Sequence, residues 1–422
     1  MRRPAHPPAR KGQNVVYLLI GYMLMFVYRP FEIWPVLGTI HLERVYAILT
    51  IIYWVFLYPK KTWVNNRLNY AFFFFWVVFL LSWLSSQFPD LGQRVAEDYF
   101  KYVVFFLLIM ASVRDEKDLK TLTIGYLVVV TLYMTHSFRE FLCGRHVYRM
   151  GIPRMIGIDQ SFNNPNTFAA TILYSLPLSL AFWPEAKKLK HKACLAYYTG
   201  LSAVCVVLTG SRSGFAVLLV FVVFALPRLF WDKRLLMLAI VAFPLVWFVI
   251  PENLQNRFAT MIDPTKGPKN AQGSAEGRIQ GFLDGVSNWQ RSPVLGVGPG
   301  AHGPAAGHGA QPHNLYGQVL GEMGTAGGVA LLTVLACFTA NAMELRWLTR
   351  LDQSGLSTFP ANLSRSIVIA GVLLLVKGWA DHNLYRYTWL WFGAFQAIAV
   401  NCMRERLAWT QWTQVALEND VT

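Results

Sequence analysis

The chain has 422 residues, of which 54% are hydrophobic and 14% are charged. Soluble proteins carry about 25% charged residues, and apolar runs of about 20 residues recur along this chain, so the composition excludes an ordinary soluble fold. The formal charge of +15 would indicate nucleic acid binding in a soluble protein. Here part of it reflects the Lys and Arg that membrane proteins place in their cytoplasmic loops.

The apolar runs predict an all-α polytopic membrane protein with about 12 transmembrane helices. The first run is interpreted as an uncleaved span, because Arg29-Pro30 follows it in place of a small-residue cleavage site. We expect helices 1 to 9 in residues 1–250, a large outside loop in 251–312, and helices 10 to 12 with a cytoplasmic tail in 313–422. The predicted spans are 14–29, 39–58, 69–86, 99–113, 119–137, 166–183, 193–209, 213–230, 234–250, 313–340, 364–381 and 386–403.

With both termini inside, every inside connection is short and basic, as the distribution of Lys and Arg requires. Several outside connections break this bias, and arginines there oppose membrane insertion, which invites a functional interpretation. These residues are Arg139, Arg145, Arg149 and Arg154 in loop 138–165, Arg212 in the turn 209–214, Arg257, Lys266, Lys269, Arg278 and Arg291 in loop 251–312, and Arg386 in the turn 381–386.

Loop 251–312 contains its own structural signals. Residues 278–290 place five apolar side chains on one helical face, which predicts a short amphipathic helix at the membrane interface or on the bundle. Glu276 would suit the N-terminus of that helix. The following Gly/Pro-rich stretch, 293–304, is interpreted as flexible, closely approaching backbone suited to lie over a substrate.

His313 stands where this loop meets the next apolar helix. A lone histidine at the end of a span is most often an interfacial polar residue, but this one faces the same side as the arginine-bearing loops. An imidazole titrates near neutrality and is the natural general base for a hydroxyl. His302 and His308 are competitors for that role, and the three histidines lack the carboxylates or cysteines that would favour a metal site.

The outside arginines allow two interpretations. Binding to lipid headgroups suits Arg29 and Arg257. It suits Arg212 less well, since the tight Gly-Ser-Arg-Ser-Gly turn allows close approach to phosphate oxygens, and a bidentate guanidinium suits a diphosphate. No Asp-x-Asp motif is present, which argues against metal-bound nucleotide sugars, and the five cysteines form no disulfide or metal pattern.

Three further polar positions carry alternatives. The stretch 163–167 is either an ordinary helix N-cap or a source of carboxamides for sugar hydroxyls, with Asn166 as a candidate substrate-binding residue. Glu322 lies inside a span and needs a partner or a cavity, and Lys377 is a candidate partner.

Three motifs in order resemble one family. They are Leu208-Thr-Gly-Ser-Arg-Ser-Gly-Phe215, the stretch from Gly277-Arg278 through Trp289 to Gly300, and His313-Asn-Leu-Tyr followed by Glu322-Met-Gly324. Together they resemble the O-antigen ligase/polymerase superfamily of bacterial envelope glycosyltransferases, whose members carry a histidine, ten residues and a glycine in a large periplasmic loop.

The resemblance implies a metal-independent, inverting enzyme of GT-C type, without a cofactor, in the Gram-negative inner membrane. Its donor would be a glycan on undecaprenyl diphosphate at the periplasmic face, and in the ligases its acceptor would be a sugar hydroxyl of lipid A–core. His313 would be the base, and Arg212 and Arg278 would bind the diphosphate. Arg145, Arg149, Arg154, Asn166, Tyr316 and His382 are candidate substrate-binding residues.

Three functions therefore stay open at this point. The ligase is favoured because no glycine follows ten residues after Arg212, a spacing described for some polymerases. The related polymerase, or a relative that glycosylates protein side chains, is the second. The third is a non-enzymatic transporter of the same lipid, for which we would expect charges near the midplane and paired broken helices.

Overall fold

The protein is a bundle of helices with one small hairpin. The structure, a computed structural model, describes residues 13–59, 61–149, 151–159, 164–229, 252–261, 263, 270–309, 311–352 and 357–420. Within these ranges seven helices are long and apolar enough to cross a membrane, which confirms an all-α polytopic membrane protein. The count of about 12 spans and the GT-C type stay predictions, and the predicted span 234–250 lies outside the described residues.

The helices follow the apolar runs, with different bounds in places. The run 39–58 forms a short helix and one wide turn, and the run 99–113 belongs to a helix that starts at Pro89. The helices of the first half are α1 (Gln13–Val27), α2 (Pro30–Ile33), α3 (Pro35–Thr39), α4 (Leu42–Ile52), α5 (Arg67–Leu84), α6 (Pro89–Ser112), α7 (Glu116–Leu142), α8 (Pro165–Ser175) and α9 (Leu189–Leu208). Those of the second half are α10 (Arg212–Leu229), α11 (Glu252–Ala259), α12 (Asn270–Arg291), α13 (His302–Ala305), α14 (Leu315–Leu351), α15 (Phe359–Gly378) and α16 (Tyr387–Asp420).

Side-chain caps explain where several helices begin. Asn66, Asp115, Asn164 and Asn314 precede α5, α7, α8 and α14, and each accepts a hydrogen bond from a backbone N–H of the first turn. Such a cap satisfies a donor that the helix itself leaves unpaired. The N-cap interpretation of the stretch around Asn164 is thereby confirmed.

Loop 138–165 departs from the all-helical expectation. Its strands β1 (Val147–Arg149) and β2 (Ile152–Arg154) pair antiparallel, with Arg149 opposite Ile152. Gly151 adopts a φ of +77° in the connection, where glycine carries no steric penalty. This hairpin sets the position of Arg154, which periodicity alone could not show.

The centre of the bundle is the first half of α16. Trp391, Phe392 and Phe395 are fully buried there, and α16 packs against α5, α6, α7, α14 and α15. A helix whose large side chains are buried and which is covered by five other helices lies in the interior of the bundle. The predicted span 386–403 is thus the central helix, and it continues to Asp420.

Ion pairs join the connections that the sequence assigned to the inside. Each links residues far apart in the chain, so these connections share one end of the bundle. The pairs are Arg67 and Arg404 with Glu344, Arg114 with Glu405, Arg406 with Glu116 and Asp352, and Lys120 with Glu185. This common end agrees with the predicted distribution of loops.

Candidate active site

Two pairs of glycines let α12 lie directly on α14. A Cβ added to Gly281 would stand 1.8 Å from the Pro312 carbonyl oxygen, and one added to Gly285 would stand 2.2 Å from that of Gly317. Gly321 faces the same crossing, 3.1 Å from the Gly285 Cα. Such spacing of small residues allows two helical backbones to touch. The crossing holds Arg278, one turn before Gly281, near the start of α14.

The structure corrects two expectations about α12. The helix begins at Asn270, so Glu276 lies inside it rather than before its N-terminus. Its glycine face packs on the bundle, while Ile279 and Leu283 on another face are about half exposed. The predicted amphipathic helix is confirmed, and it is longer than predicted. The prediction began too late because the apolar pattern starts only at Ile279.

Helix α14 is interrupted at Gly324, which has φ +65° and ψ −159°. The stretch 293–298 docks across the break. The Val297 and Gly298 N–H groups donate to the Gly321 and Glu322 carbonyls at 2.9 and 3.0 Å, and the Thr325 and Ala326 N–H groups donate to the Pro293 and Val294 carbonyls at 2.9 and 3.0 Å. These bonds satisfy the backbone groups that the break releases.

The expectation that this Gly/Pro-rich stretch is flexible is therefore wrong. It is a strap bonded to α14, and its glycines are needed for close approach to that helix. The spacing between His313 and Gly324 has a physical meaning. The ten residues between them form the arm of α14 that runs from the junction to the break. That arm carries the contacts with α12.

We expect Gly324→Ala to destabilise the protein. Its backbone angles belong to a region populated almost only by glycine, where a side chain costs about 1–3 kcal/mol. The added Cβ would also stand 2.5 Å from the Val294 carbonyl oxygen and 2.7 Å from the Gly296 nitrogen. The measurement is the thermal unfolding midpoint in detergent, which should fall by several degrees.

Gly328→Ala is the matched control, one turn further along the same helix. An added Cβ at Gly328 meets nothing within 4 Å, and alanine favours helix over glycine by about 1 kcal/mol. This variant should keep or raise the unfolding midpoint. An equal loss in both variants would contradict the role assigned to the break.

His313 lies at the junction with unusual backbone geometry. Its φ is +44°, in the left-handed region, and the residue is accessible to solvent although neighbouring groups partly enclose it. The ring stands 5.3 Å from the ring of His382, nearly edge to face. Asn314, the next residue, caps α14 and donates through Nδ2 to the Trp379 carbonyl at 3.3 Å. The loop before α14 and the turn after α15 thus bring two imidazoles together.

Surrounding charges tune this imidazole. Burial lowers the pKa of His313, and the charges of His382, Arg278 and Lys377 lower it further, while Asp381 opposes them. Burial also lowers the pKa of His382. Both rings are therefore held in the neutral form at neutral pH, in which a ring nitrogen can accept a proton.

The Arg212 turn is held from two sides. Arg257 Nε donates to the Gly210 carbonyl at 2.6 Å, and Lys377 Nζ donates to Ser213 Oγ at 2.9 Å. Arg212 itself donates to Thr260 Oγ1 at 3.2 Å. Two expectations are corrected here, because Arg257 supports the turn rather than a lipid headgroup, and Lys377 does not pair with Glu322.

Lys377 and Glu322 have separate partners. Lys377 is fully buried, and its Nζ lies 3.8 Å from Asp381 Oδ2. Glu322 is also buried and accepts from Gln318 Nε2 at 3.3 Å. Each of these partners lies four residues away in the chain, so neither charge depends on the other.

The charge of Arg278 acts on the region of Arg212, Asp381 and His313. Arg278 is half-buried and makes no hydrogen bond or ion pair with any residue that the structure describes. Burial and the charge of Arg212 lower the pKa of Arg278. Two neighbouring guanidinium groups repel each other, so their arrangement favours an anion between them.

The other predicted site residues have structural contacts. Arg154 is buried, with Nε donating to the Thr209 carbonyl at 2.7 Å and Nη2 to Asn166 Oδ1 at 3.1 Å. Arg145 donates to the Gly157 carbonyl at 3.1 Å, and Tyr316 donates to the Leu375 carbonyl at 3.0 Å. The side chain of Arg149 lies outside the described residues. These contacts place Arg154 and Asn166 beneath the Arg212 turn.

The sequence analysis assigned no role to Asp381, and it named Arg386 only as an outside charge. Burial alone would raise the pKa of Asp381, but the charges of Lys377, His382 and Arg386 hold it below its usual range. Arg386 donates to Thr171 Oγ1 at 2.5 Å and lies over the Tyr174 ring at 5.2 Å. The turn 381–386 is rich in polar residues, which marks it as a candidate part of the site. That pattern does not show which residues Asp381 and Arg386 contact.

His302 and His308 belong to a separate group. His308 Nε2 lies 2.9 Å from Asp284 Oδ2, and His302 is buried beneath the glycine crossing. In the described part of the chain, no three His, Cys, Asp or Glu side chains are close enough to hold a metal ion. Of the three histidines, His313 is the one on which the charge of Arg278 acts.

Comparison with known sequences bears on the same segment. No curated protein sequence matches the chain. Residues 197–332 match the family model described as O-Antigen ligase. The matched segment contains Arg212, Arg278, His313 and Gly324. This match, over about a third of the chain, supports membership of the O-antigen ligase/polymerase superfamily.

Proposed function

We propose that the protein is an O-antigen ligase. It transfers a glycan en bloc from undecaprenyl diphosphate to a sugar hydroxyl of lipid A–core, at the periplasmic face of a Gram-negative inner membrane. The family match supports a ligase or polymerase type of function. The donor and the acceptor are those that the family resemblance implies, and the choice of residues rests on the geometry around His313.

One observation carries the proposal. A neutral imidazole lies beside several positive charges, since Arg278 and Lys377 act on His313, Arg212 acts on Arg278 and Arg386 acts on Asp381, whose own charge opposes theirs. A surplus of this kind suits a ligand with several negative charges, and a diphosphate is such a ligand.

The proposed reaction is a single displacement. The acceptor oxygen bonds to the anomeric carbon as the bond from that carbon to the diphosphate oxygen breaks, so the configuration inverts. The acceptor proton passes to a ring nitrogen of His313, and the electron pair leaves with the diphosphate. Arg212 and Arg278 stabilise the charge that develops there, and fixed charges require no reorganisation at that moment. No cofactor takes part in this scheme.

The arrangement favours an enzyme over a transporter. A transporter of the same lipid would place its charges near the midplane at paired broken helices. Here Arg212, Arg278 and His313 stand at helix beginnings or in the connection between spans. A polymerase would use the same chemistry with a second lipid-linked repeat as the acceptor.

The function is tested with the purified full-length protein. It receives undecaprenyl-diphosphate-linked glycan and lipid A–core, with a lipid-linked single repeat as the alternative acceptor. Glycan-capped lipid A–core, formed equally with and without a chelator, supports the ligase. Lengthened lipid-linked glycan identifies a polymerase, and the absence of both products contradicts an enzymatic role.

The pH dependence follows from the protonation state of His313. A base must be unprotonated, so kcat/KM falls as pH falls through its pKa, which lies below the ordinary value of about 6.5. Activity should therefore stay constant from neutral pH down to below about pH 6.5 and then decline. In His382→Gln the decline should begin at higher pH, because the charge of His382 lowers the pKa of His313. An unchanged or lower midpoint in this variant would contradict the assignment of the base.

A further inference from the structure

Three aromatic rings form a rim beside His313. Trp379 follows the end of α15, and its side chain is 51% exposed. The centroids of Phe282 and Tyr316 each lie 6.2 Å from its ring. We call Phe282, Tyr316 and Trp379 the aromatic rim.

The three rings come from three different elements of the site. Phe282 comes from α12 beside the glycine crossing, and Tyr316 from α14, where its hydroxyl donates to the Leu375 carbonyl at 3.0 Å. The Trp379 carbonyl accepts from Asn314, the residue after His313. The rim and the imidazole therefore share one support, and a ligand on the rim lies next to His313.

The chemistry of the rim suits a sugar better than a lipid chain. A pyranose presents an apolar C–H face and an edge of hydroxyls. Trp379 offers an apolar ring face, and its indole N–H makes no hydrogen bond with any residue in the described ranges. The next residues of the same turn include Asp381 and His382.

We propose that the aromatic rim binds a sugar ring of the acceptor, with its apolar face on Trp379, and thereby presents a hydroxyl to His313. The assignment to the acceptor rests on the proposed function, in which His313 receives the acceptor proton. The donor diphosphate occupies the side of Arg212 and Arg278. Trp379 is then a positioning residue that sets the affinity for the acceptor.

Binding is measured without turnover. The probe is delipidated core oligosaccharide, and the method is saturation-transfer difference NMR with the full-length protein in detergent. The wild type should transfer saturation to the ring protons of one terminal sugar, and Trp379→Leu should lose that transfer. Trp347→Leu is the control, because Trp347 is 57% exposed on the distant half of α14. Equal transfer in the wild type and Trp379→Leu, or none in the wild type, overturns the proposal.

Kinetics then separates the substrates. Trp379→Leu should raise the KM for lipid A–core about tenfold, as 1.4 kcal/mol of lost binding does, and leave the KM for the donor unchanged. Trp379→Tyr should restore most of the acceptor affinity, because it keeps an aromatic face and a polar edge. An equal KM for lipid A–core in Trp379→Leu and Trp379→Tyr would show that Trp379 contacts lipid. A raised KM for the donor would show that the rim binds the donor. Either result overturns the proposal.

Failure of the proposed function gives a different pattern. If the wild type forms no product, the ligase assignment fails, while the NMR comparison still decides whether the rim binds a sugar. If the wild type forms product and Trp379→Leu keeps its acceptor KM, the rim proposal fails and the ligase assignment stands.

Discussion

His313→Asn should abolish glycan transfer and leave the fold intact. Loss of a general base lowers the rate by about 10²- to 10⁴-fold. Asparagine is the informative substitution, because it tolerates the left-handed backbone at this position better than alanine does. The measurement is kcat with purified protein, next to the thermal unfolding midpoint. We expect a large fall in kcat with little change in the midpoint.

Two further histidine variants complete this test. His191→Asn is the control, since His191 is exposed near the start of α9 in a predicted inside connection, and it should keep full activity. His382→Asn should reduce activity less than His313→Asn. Normal activity in His313→Asn would refute the assigned base, and a larger loss in His382→Asn would move the base to that ring.

Arg278→Gln should be the second large loss. Arg278 has no partner among the described residues, so its removal should leave the local packing nearly unchanged. Losing one group that stabilises developing charge costs about 10²- to 10³-fold in kcat. Arg278→Lys keeps the charge but not the planar pair of donors, and it should fall between the wild type and Arg278→Gln.

The matched control is Arg94→Gln. Arg94 is exposed on α6, near a predicted outside connection, and belongs to neither helix of the glycine crossing. Its loss removes the same charge from the same side of the protein. Equal losses in Arg278→Gln and Arg94→Gln would show that only the overall surface charge matters. A loss confined to Arg278→Gln supports direct contact with the diphosphate.

The helical class of the fold could be predicted from sequence because membrane helices have a strong local signal. The run of apolar residues is long, and the bilayer fixes its length. Short or interrupted elements were harder to predict. The hairpin 147–154 pairs residues through backbone bonds that no periodicity marks, and the central position of α16 depends on what surrounds it.

The candidate site was predicted unevenly for a similar reason. His313, Arg212 and Arg278 were found because a charged or titratable group near an apolar run is costly and therefore conspicuous. The contact of Lys377 with Ser213 was not found, since it forms only where the end of α15 meets the first turn of α10. The proposed pairing of Lys377 with Glu322 was wrong because both residues needed partners and the sequence could not rank them.

The sequence by itself determined the membrane class, the surplus of positive charge and the residue types available for chemistry. The spacing between His313 and Gly324 is also a property of the sequence alone. Only the tertiary structure decided what that spacing does. Gly324 interrupts α14 so that the strap 293–298 can bond to it, and the glycine crossing then holds Arg278 near His313. The physical reason is that composition and periodicity are local, whereas a close backbone contact depends on residues that are distant in the chain.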